Sequence, residues 1–316
     1  MKFAYVLCLL LLVTFVPIFL EASETLQFVP ESCFSVVTVS NVQSDKGVGW
    51  LIDAWINSPR ESPLRDLLSS VPAREISVAL FPAEGSETFS MLLVVTLNKG
   101  KKAEKALLDK LIETPLTVSI QTTSHKNTTI FYTTAEDAGD YSAYAVVQNN
   151  VLAAATLDIL KTSLEGPTVG QGSAYKNMSA VLTLSQDGLL FTNNSNSQFV
   201  QFLRPLEDKW GMSLLLSADY LQWMGASFDF VDSQQVSGKF VFQGKDTSHI
   251  EDIQDDADFM GETFKRKFIA EKIDYKGEVT VNGKTVVLNF NIEGLESLWT
   301  KLFAQGVLSL FSLDAD

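Results

Sequence analysis

Apolar positions along this chain fall into short β runs separated by fewer, amphipathic helical stretches. Cys33 to Asn41 carries Phe34, Val36, Val37 and Val39 and reads as a strand, while Val48 to Ile56 has helical spacing. Ser62-Pro63 opens a second helix, since Ser caps free amides and Pro suits the first helical position. Ile76 to Phe81 and Phe89 to Leu97 are β runs on either side of Pro82-Ala83-Glu84-Gly85-Ser86, which reads as a hairpin turn. Lys101 to Ile112 puts Ala103, Ala106, Leu107, Leu108 and Leu111 on one helical face, and Pro115 ends it before β segments at Leu116 to Gln121 and Thr129 to Thr134. Tyr144 to Gln148 and Val151 to Ala155 form a hairpin over Asn149-Asn150, followed by a helix from Leu157 to Leu164 closed by Gly166-Pro167.

The same order returns about 150 residues later. Gly188 to Thr192 is an opening strand, and Gln198 to Leu206 is a helix with Phe199, Val200, Phe202, Leu203 and Leu206. Ala226 to Val231 and Gln235 to Gln243 alternate around Asp232-Ser233-Gln234, as half-buried hairpin strands do. Ser248 with Glu251 forms a capping box, and Asp252, Asp255 and Asp256 suit the positive end of the helix that follows. Tyr275 to Val281 and Thr285 to Ile292 flank Asn282-Gly283, the strongest short hairpin signal in the chain. Leu295, Leu298, Trp299, Leu302 and Phe303 have helical spacing and are expected on the second sheet. The pattern predicts an α+β protein of two tandem ferredoxin-like (βαββαβ-type) units, each with a mainly antiparallel sheet covered by helices on one face. The units span 23–165 and 174–316, with a glycine-bearing linker at 166–173.

The first residues supply an address. Met1-Lys2, then Phe3 to Leu20 nearly free of polar atoms, then Glu21-Ala22-Ser23 is the pattern of a secretory signal peptide over 1–22. The apolar run is also long enough to stay as an uncleaved anchor, the alternative reading. Neither Cys8 nor Cys33 stands where a lipid-attachment cysteine would, and removal of the peptide leaves Cys33 as the sole thiol, with no disulfide to make. The expected location is extracytoplasmic: periplasmic, cell-envelope or secreted. A hydrophobic fraction of 46% provides ample core, and a formal charge of −14 disfavours nucleic acid as a partner and charge-driven membrane binding. Membrane contact is expected only if the N-terminal segment is retained. The triplets beginning at Asn127, Asn177 and Asn193 have the form of glycosylation acceptors, at a frequency close to chance.

Candidate chemistry is sparse. His125 sits in a hairpin loop and His249 in a first helical turn, both in solvated settings. Glu251, Asp252, Asp255, Asp256 and Asp258 ride an amphipathic helix and point several ways, and Glu136-Asp137-Ala138-Gly139-Asp140 reads as a solvated turn. The stretch Gly166 to Gly172 lacks the Lys-Ser/Thr of a phosphate loop. Cys33 has no basic neighbour to activate it. Ser173-Ala174-Tyr175-Lys176 is placed at the linker's edge rather than on a helix, without the companion motifs of Ser-x-x-Lys enzymes. No catalytic residue, cofactor site or metal site is expected. The aromatic residues Trp50, Trp55, Trp210, Tyr220 and Trp223, with Trp299, are candidates to line a ligand cleft between the units, and core packing accounts for them equally well.

At family level, Val29-Pro30 leading into a strand, the Asn41 loop, an amphipathic helix and a later doubled α+β unit resemble a group of exported bacterial proteins of unknown function. That group has no assigned catalytic residues, so the resemblance implies no site. The expectation is an exported, non-catalytic binding protein acting through an inter-unit cleft or a sheet edge on an unknown protein, peptide, glycan or lipid ligand. The alternatives are a secreted hydrolase with dispersed carboxylates and an envelope-associated structural protein.

Overall fold

In a computed structural model of the chain, the described residues are 23–40, 73–82, 89–97, 120–133, 142–182, 187–210, 215–232, 234–270 and 272–295. The signal-peptide segment, the helices expected at 48–56, from 62 and at 101–112, the acidic loop 136–140 and the segment from 298 lie outside them.

Twelve strands follow one another as β1 (Ser35–Ser40), β2 (Ala73–Pro82), β3 (Phe89–Leu97), β4 (Gln121–His125), β5 (Thr128–Tyr132), β6 (Ala143–Val147), β7 (Asn150–Ala154), β8 (Gly188–Asn193), β9 (Leu221–Phe230), β10 (Gln235–Gly244), β11 (Asp274–Asn282) and β12 (Thr285–Glu293). The described helices are α1 (Leu157–Glu165), α2 (Ser173–Val181), α3 (Gln198–Trp210) and α4 (Ile250–Ala270). All the strands join one sheet in the order β11-β12-β10-β9-β8-β1-β2-β3-β7-β6-β5-β4, with antiparallel ladders throughout.

This overturns the expectation of two tandem ferredoxin-like units. The opening strands of the two expected units, β1 and β8, are hydrogen-bonded to each other from Ser35↔Thr192 to Val39↔Gly188, so the sheet runs unbroken through the place where a seam was expected. Each would otherwise present an open edge, and an unpaired ladder of N–H and C=O groups is what a sheet covers or pairs. Counting outward from that ladder, each side meets a single strand, then a hairpin, then a hairpin whose later strand docks first.

Helices also cover both faces instead of one. On the first face, Leu160 of α1 and Tyr175 and Met178 of α2 pack with Val36, Ala79, Leu92, Val94, Leu152, Leu189 and Trp223. On the second, Phe199 and Leu203 of α3 and Ile253, Ala257, Phe264 and Phe268 of α4 pack with Leu93, Val95, Leu190, Phe228, Phe240 and Leu288. Two-sided burial explains why central strands are near-continuous apolar runs, as in Leu189-Leu190-Phe191, whereas β12 alternates strictly. The α4 residues recur at three- and four-residue spacing, which keeps one stripe on the sheet.

Local chemistry sets several boundaries. The Thr156 side chain accepts from the Ile159 N–H at 3.2 Å and caps α1. Gly283, at φ +61°, makes the Asn-Gly turn between β11 and β12. Lys126 and Asn127, at φ 45° and 64°, turn β4 into β5. The segment 166–173, read as a linker, is bound to the N-terminal segment: the Glu31 N–H donates to Pro167 O and the Val169 N–H to Val29 O, each at 2.9 Å. It leads directly into α2, a helix that the sequence reading did not contain. Ser173-Ala174-Tyr175-Lys176 is therefore the first turn of a helix, not a linker edge, and its Ser173 and Lys176 face solvent.

Candidate functional site

Of the aromatic residues expected in the cleft, the structure describes the side chains of Tyr220 and Trp223, and these have different settings. Trp50 and Trp55 lie outside the described residues, and Trp210 closes α3 with its side chain outside them. Trp223 is 1% exposed and belongs to the face covered by α2. Tyr220 lies on the surface, stacked on His249 with ring centroids 3.7 Å apart and planes 4° apart, and His249 Nδ1 is 3.0 Å from Asp252 Oδ2. His125 contacts the Glu165 carboxylate at the end of α1. Cys33 is buried, and burial alone holds its thiol well above the usual range, so it is no nucleophile.

A pocket of about 280 Å³ opens between α4 and the outermost strand β11. Asp258, Glu262 and Lys265 of α4 and Lys276 of β11 supply its charged lining, while Val279 and Leu288 are its apolar wall. Tyr275 lies at its inner side, 7% exposed, with its ring 5.8 Å from Phe268 and 6.1 Å from Phe264. Gly277 makes room for the Tyr275 ring, which lies over it, and Gly261 is the helix residue that faces the same ring. A Cβ on Gly277 would fall 2.5 Å from Tyr275 Oη, and one on Gly261 would fall 3.6 Å from it. The phenol is pushed above its usual range, chiefly by burial and then by the Glu262 charge. Its hydroxyl is covered and has no hydrogen-bond partner among the described residues. Buried polar groups are nearly always satisfied, so such a group asks for an explanation.

Sequence reasoning read Tyr275 only as the start of a strand. Two signals were present: Tyr275-x-Gly277 places ring and glycine on one strand face, and Gly261 interrupts an otherwise ordinary helix.

A second polar cluster lies at the middle of the sheet under α2. Glu75, 5% exposed, faces Ser40 across the β1·β2 ladder, and Ser77 faces Thr38. Glu75 Oε1 accepts from the hydroxyls of Ser23 and Thr25 and from the Thr25 N–H at 2.9 Å, and Oε2 accepts from Ser40 Oγ at 3.3 Å. Thr25 Oγ1 is 2.5 Å from Ser77 Oγ, which donates to Thr38 Oγ1 at 2.7 Å. Above them, the Tyr175 hydroxyl is buried without a partner among the described residues, and burial, then the Glu75 charge, raises its pKa. A buried carboxylate held by hydroxyls and one backbone amide, with no cation among these contacts, is unusual in an interior, because burial disfavours the ionised form. Glu207, also buried, is by contrast paired with Arg204 at 2.5 Å.

Among the described residues no group of three His, Cys, Asp or Glu side chains is arranged to hold a metal, and no helix is long and apolar enough to cross a membrane.

No protein-family model and no curated protein matches the chain. A solved structure described as "Structure of crystal form I of TP0453" is similar to 90% of this chain and 98% of its own, at 11% identity and a TM-score of 0.48. A likeness at that level carries neither a function nor a site.

Proposed function

We propose that this protein is an exported, non-catalytic binding protein and that its ligand site is the α4–β11 pocket at the sheet edge. The observation that carries the reading is the buried Tyr275 hydroxyl, unpartnered among the described residues, beside the pocket that Gly261 and Gly277 line. The pocket's volume is at the small end for ligand sites, which suits a compact amphipathic molecule. Its polar group would bond Tyr275 Oη after Glu262 swings aside, and its apolar part would lie on Val279 and Leu288. The lining carries both signs of charge, so a ligand bearing both signs, or neither, fits better than an anion or a cation alone.

Against the hydrolase alternative, the two carboxylates of the pocket, Asp258 and Glu262, stand one turn apart on the same helix. They do not flank a bond from facing walls. Export rests on the signal-peptide pattern of residues 1–22, and membership of the exported bacterial group remains part of this proposal.

The test is a thermal-shift screen of small peptides, glycan fragments and short-chain lipids, repeated on Gly261→Leu, which fills the pocket from α4. A compound that raises the melting temperature of the wild type and not of the variant identifies the site. Equal shifts in both proteins would move the site elsewhere, and no shift with any class would end the binding reading at this pocket.

A further inference from the structure

We propose that export cleavage between Ala22 and Ser23 creates the missing partner of Glu75, the new α-ammonium of Ser23 docking in the hydroxyl cage as an internal ligand of the buried carboxylate. The inference rests on the export reading above and is independent of the α4–β11 pocket.

Position comes first. Ser23 is 7% exposed, and its hydroxyl both donates to Glu75 Oε1 and accepts from the Leu26 N–H at 3.3 Å. Within one serine the backbone nitrogen is never more than about 4 Å from Oγ, so the Ser23 nitrogen lies within about 6 Å of the carboxylate. That is the range over which opposite charges act on one another strongly, and more so away from water.

Composition of the cage comes second. Its six contacts between side chains are Ser23–Glu75, Thr25–Glu75, Ser40–Glu75, Ser23–Thr25, Thr25–Ser77 and Ser77–Thr38. The five hydroxyls bring at most five protons to them, so with Glu75 ionised at least one contact lacks a donor. An ammonium carries three N–H donors and a positive charge, which is what this cluster lacks. Arg74, next to Glu75 in the chain, is engaged with Glu24 on the surface. The groups facing the site are Glu75 and Ser77 from β2, Thr38 and Ser40 from β1, Tyr175 from α2, and Ser23, Glu24 and Thr25 of the segment itself.

The chemistry balances without further reagents. A signal endopeptidase of the export route hydrolyses the Ala22–Ser23 amide with one water. Ala22 leaves as a carboxylate, and the Ser23 nitrogen takes up the released proton at neutral pH. In the precursor that nitrogen is an amide and offers one neutral donor. Cleavage therefore adds a positive charge beside Glu75 and strengthens a hold on residues 23–30 that the hydroxyl and amide contacts already provide.

The experiment uses the full chain expressed with its own N-terminal segment through an export pathway. Intact mass of the purified protein is expected to place its first residue at Ser23. The pH dependence of acylation of the unmodified α-amine, followed by mass spectrometry in the native protein, is expected to put it at least one pH unit above its usual value of about 7.7–8.0. Glu75→Gln, which keeps the shape and most hydrogen bonds, should return it to that range. Should that variant not fold, amine acylation of the wild type gives the same answer: Ser23 is expected to react at least tenfold more slowly in the native than in the urea-unfolded protein. A chain that still begins at Met1 would overturn both export processing and this proposal, and one cleaved at another bond would overturn only this proposal. A chain that begins at Ser23 but has an α-amine of ordinary pKa and native acylation rate overturns only this one, as does a raised pKa that survives Glu75→Gln.

Discussion

Tyr275→Phe separates the two roles that the pocket reading assigns to one side chain. The phenol ring packs against Phe268 and Phe264, and that contact survives the change. What is lost is one hydroxyl, covered, with no partner among the described residues. A buried polar group left unsatisfied costs about 1–3 kcal/mol, so its removal is expected to stabilise the free protein by about 1 kcal/mol. For a chain of this size that is a rise in melting temperature of about 2–4 °C. Urea unfolding monitored by circular dichroism should show a higher midpoint with an unchanged slope, since the surface exposed on unfolding is the same. Any compound that binds through the hydroxyl should at the same time lose about tenfold in affinity, close to 1.4 kcal/mol. Stability and binding thus move in opposite directions, which a purely structural tyrosine would not produce. A Tyr275→Phe protein destabilised by 1 kcal/mol or more would show that the hydroxyl is bonded in the native state, and the argument for the pocket would fail with it.

Further predictions concern the sheet and the buried ionisable groups. Gly238→Ala should destabilise by about 2–3 kcal/mol in urea unfolding, because its Cβ would lie 2.3 Å from Ser227 O and 2.6 Å from the Phe290 ring, and a ladder oxygen cannot retreat without opening β9·β10. Trp223→Ala should cost about 3–5 kcal/mol, since the ring is fully buried under α2. Tyr175 and Tyr275 stay protonated in the native state above the pH at which unfolded tyrosines ionise, so the unfolded chain binds fewer protons there. Stability should be intact below pH ~10 and fall above it by up to about 1.4 kcal/mol per pH unit for each residue, with a shallower fall in Tyr275→Phe. Cys33 should resist a thiol reagent at pH 8 in the native protein and react at once in urea; native labelling at the unfolded rate would contradict its burial.

Much of the element inventory was legible before any fold was known. The Asn282-Gly283 turn, the hairpins of β2 with β3 and β9 with β10, and the apolar stripe of α4 follow from local rules that depend on a few neighbouring residues. The helix α2 was not legible, because Gly166, Gly170 and Gly172 drew attention to a break, and its Tyr175 and Met178 meet their partners only from distant strands. The settings of Tyr220 and Trp223 were illegible for a related reason. Tyr220 and Trp223 are three residues apart, yet one belongs to a surface stack and the other to the core, a distinction that depends on what covers each.

By itself the chain located most of the described strands and the apolar stripe of α4, and it carries the export pattern and the acidity on which the proposals about location and partners rest, because each is written in short-range periodicity or in composition. Only tertiary structure decided that β1 lies beside β8, that helices cover both faces, and that Ser23 and Thr25 reach across roughly fifty residues to the Glu75 carboxylate. Periodicity reports which side of an element is apolar; it carries no information on which free edge, or which buried charge, will complete it.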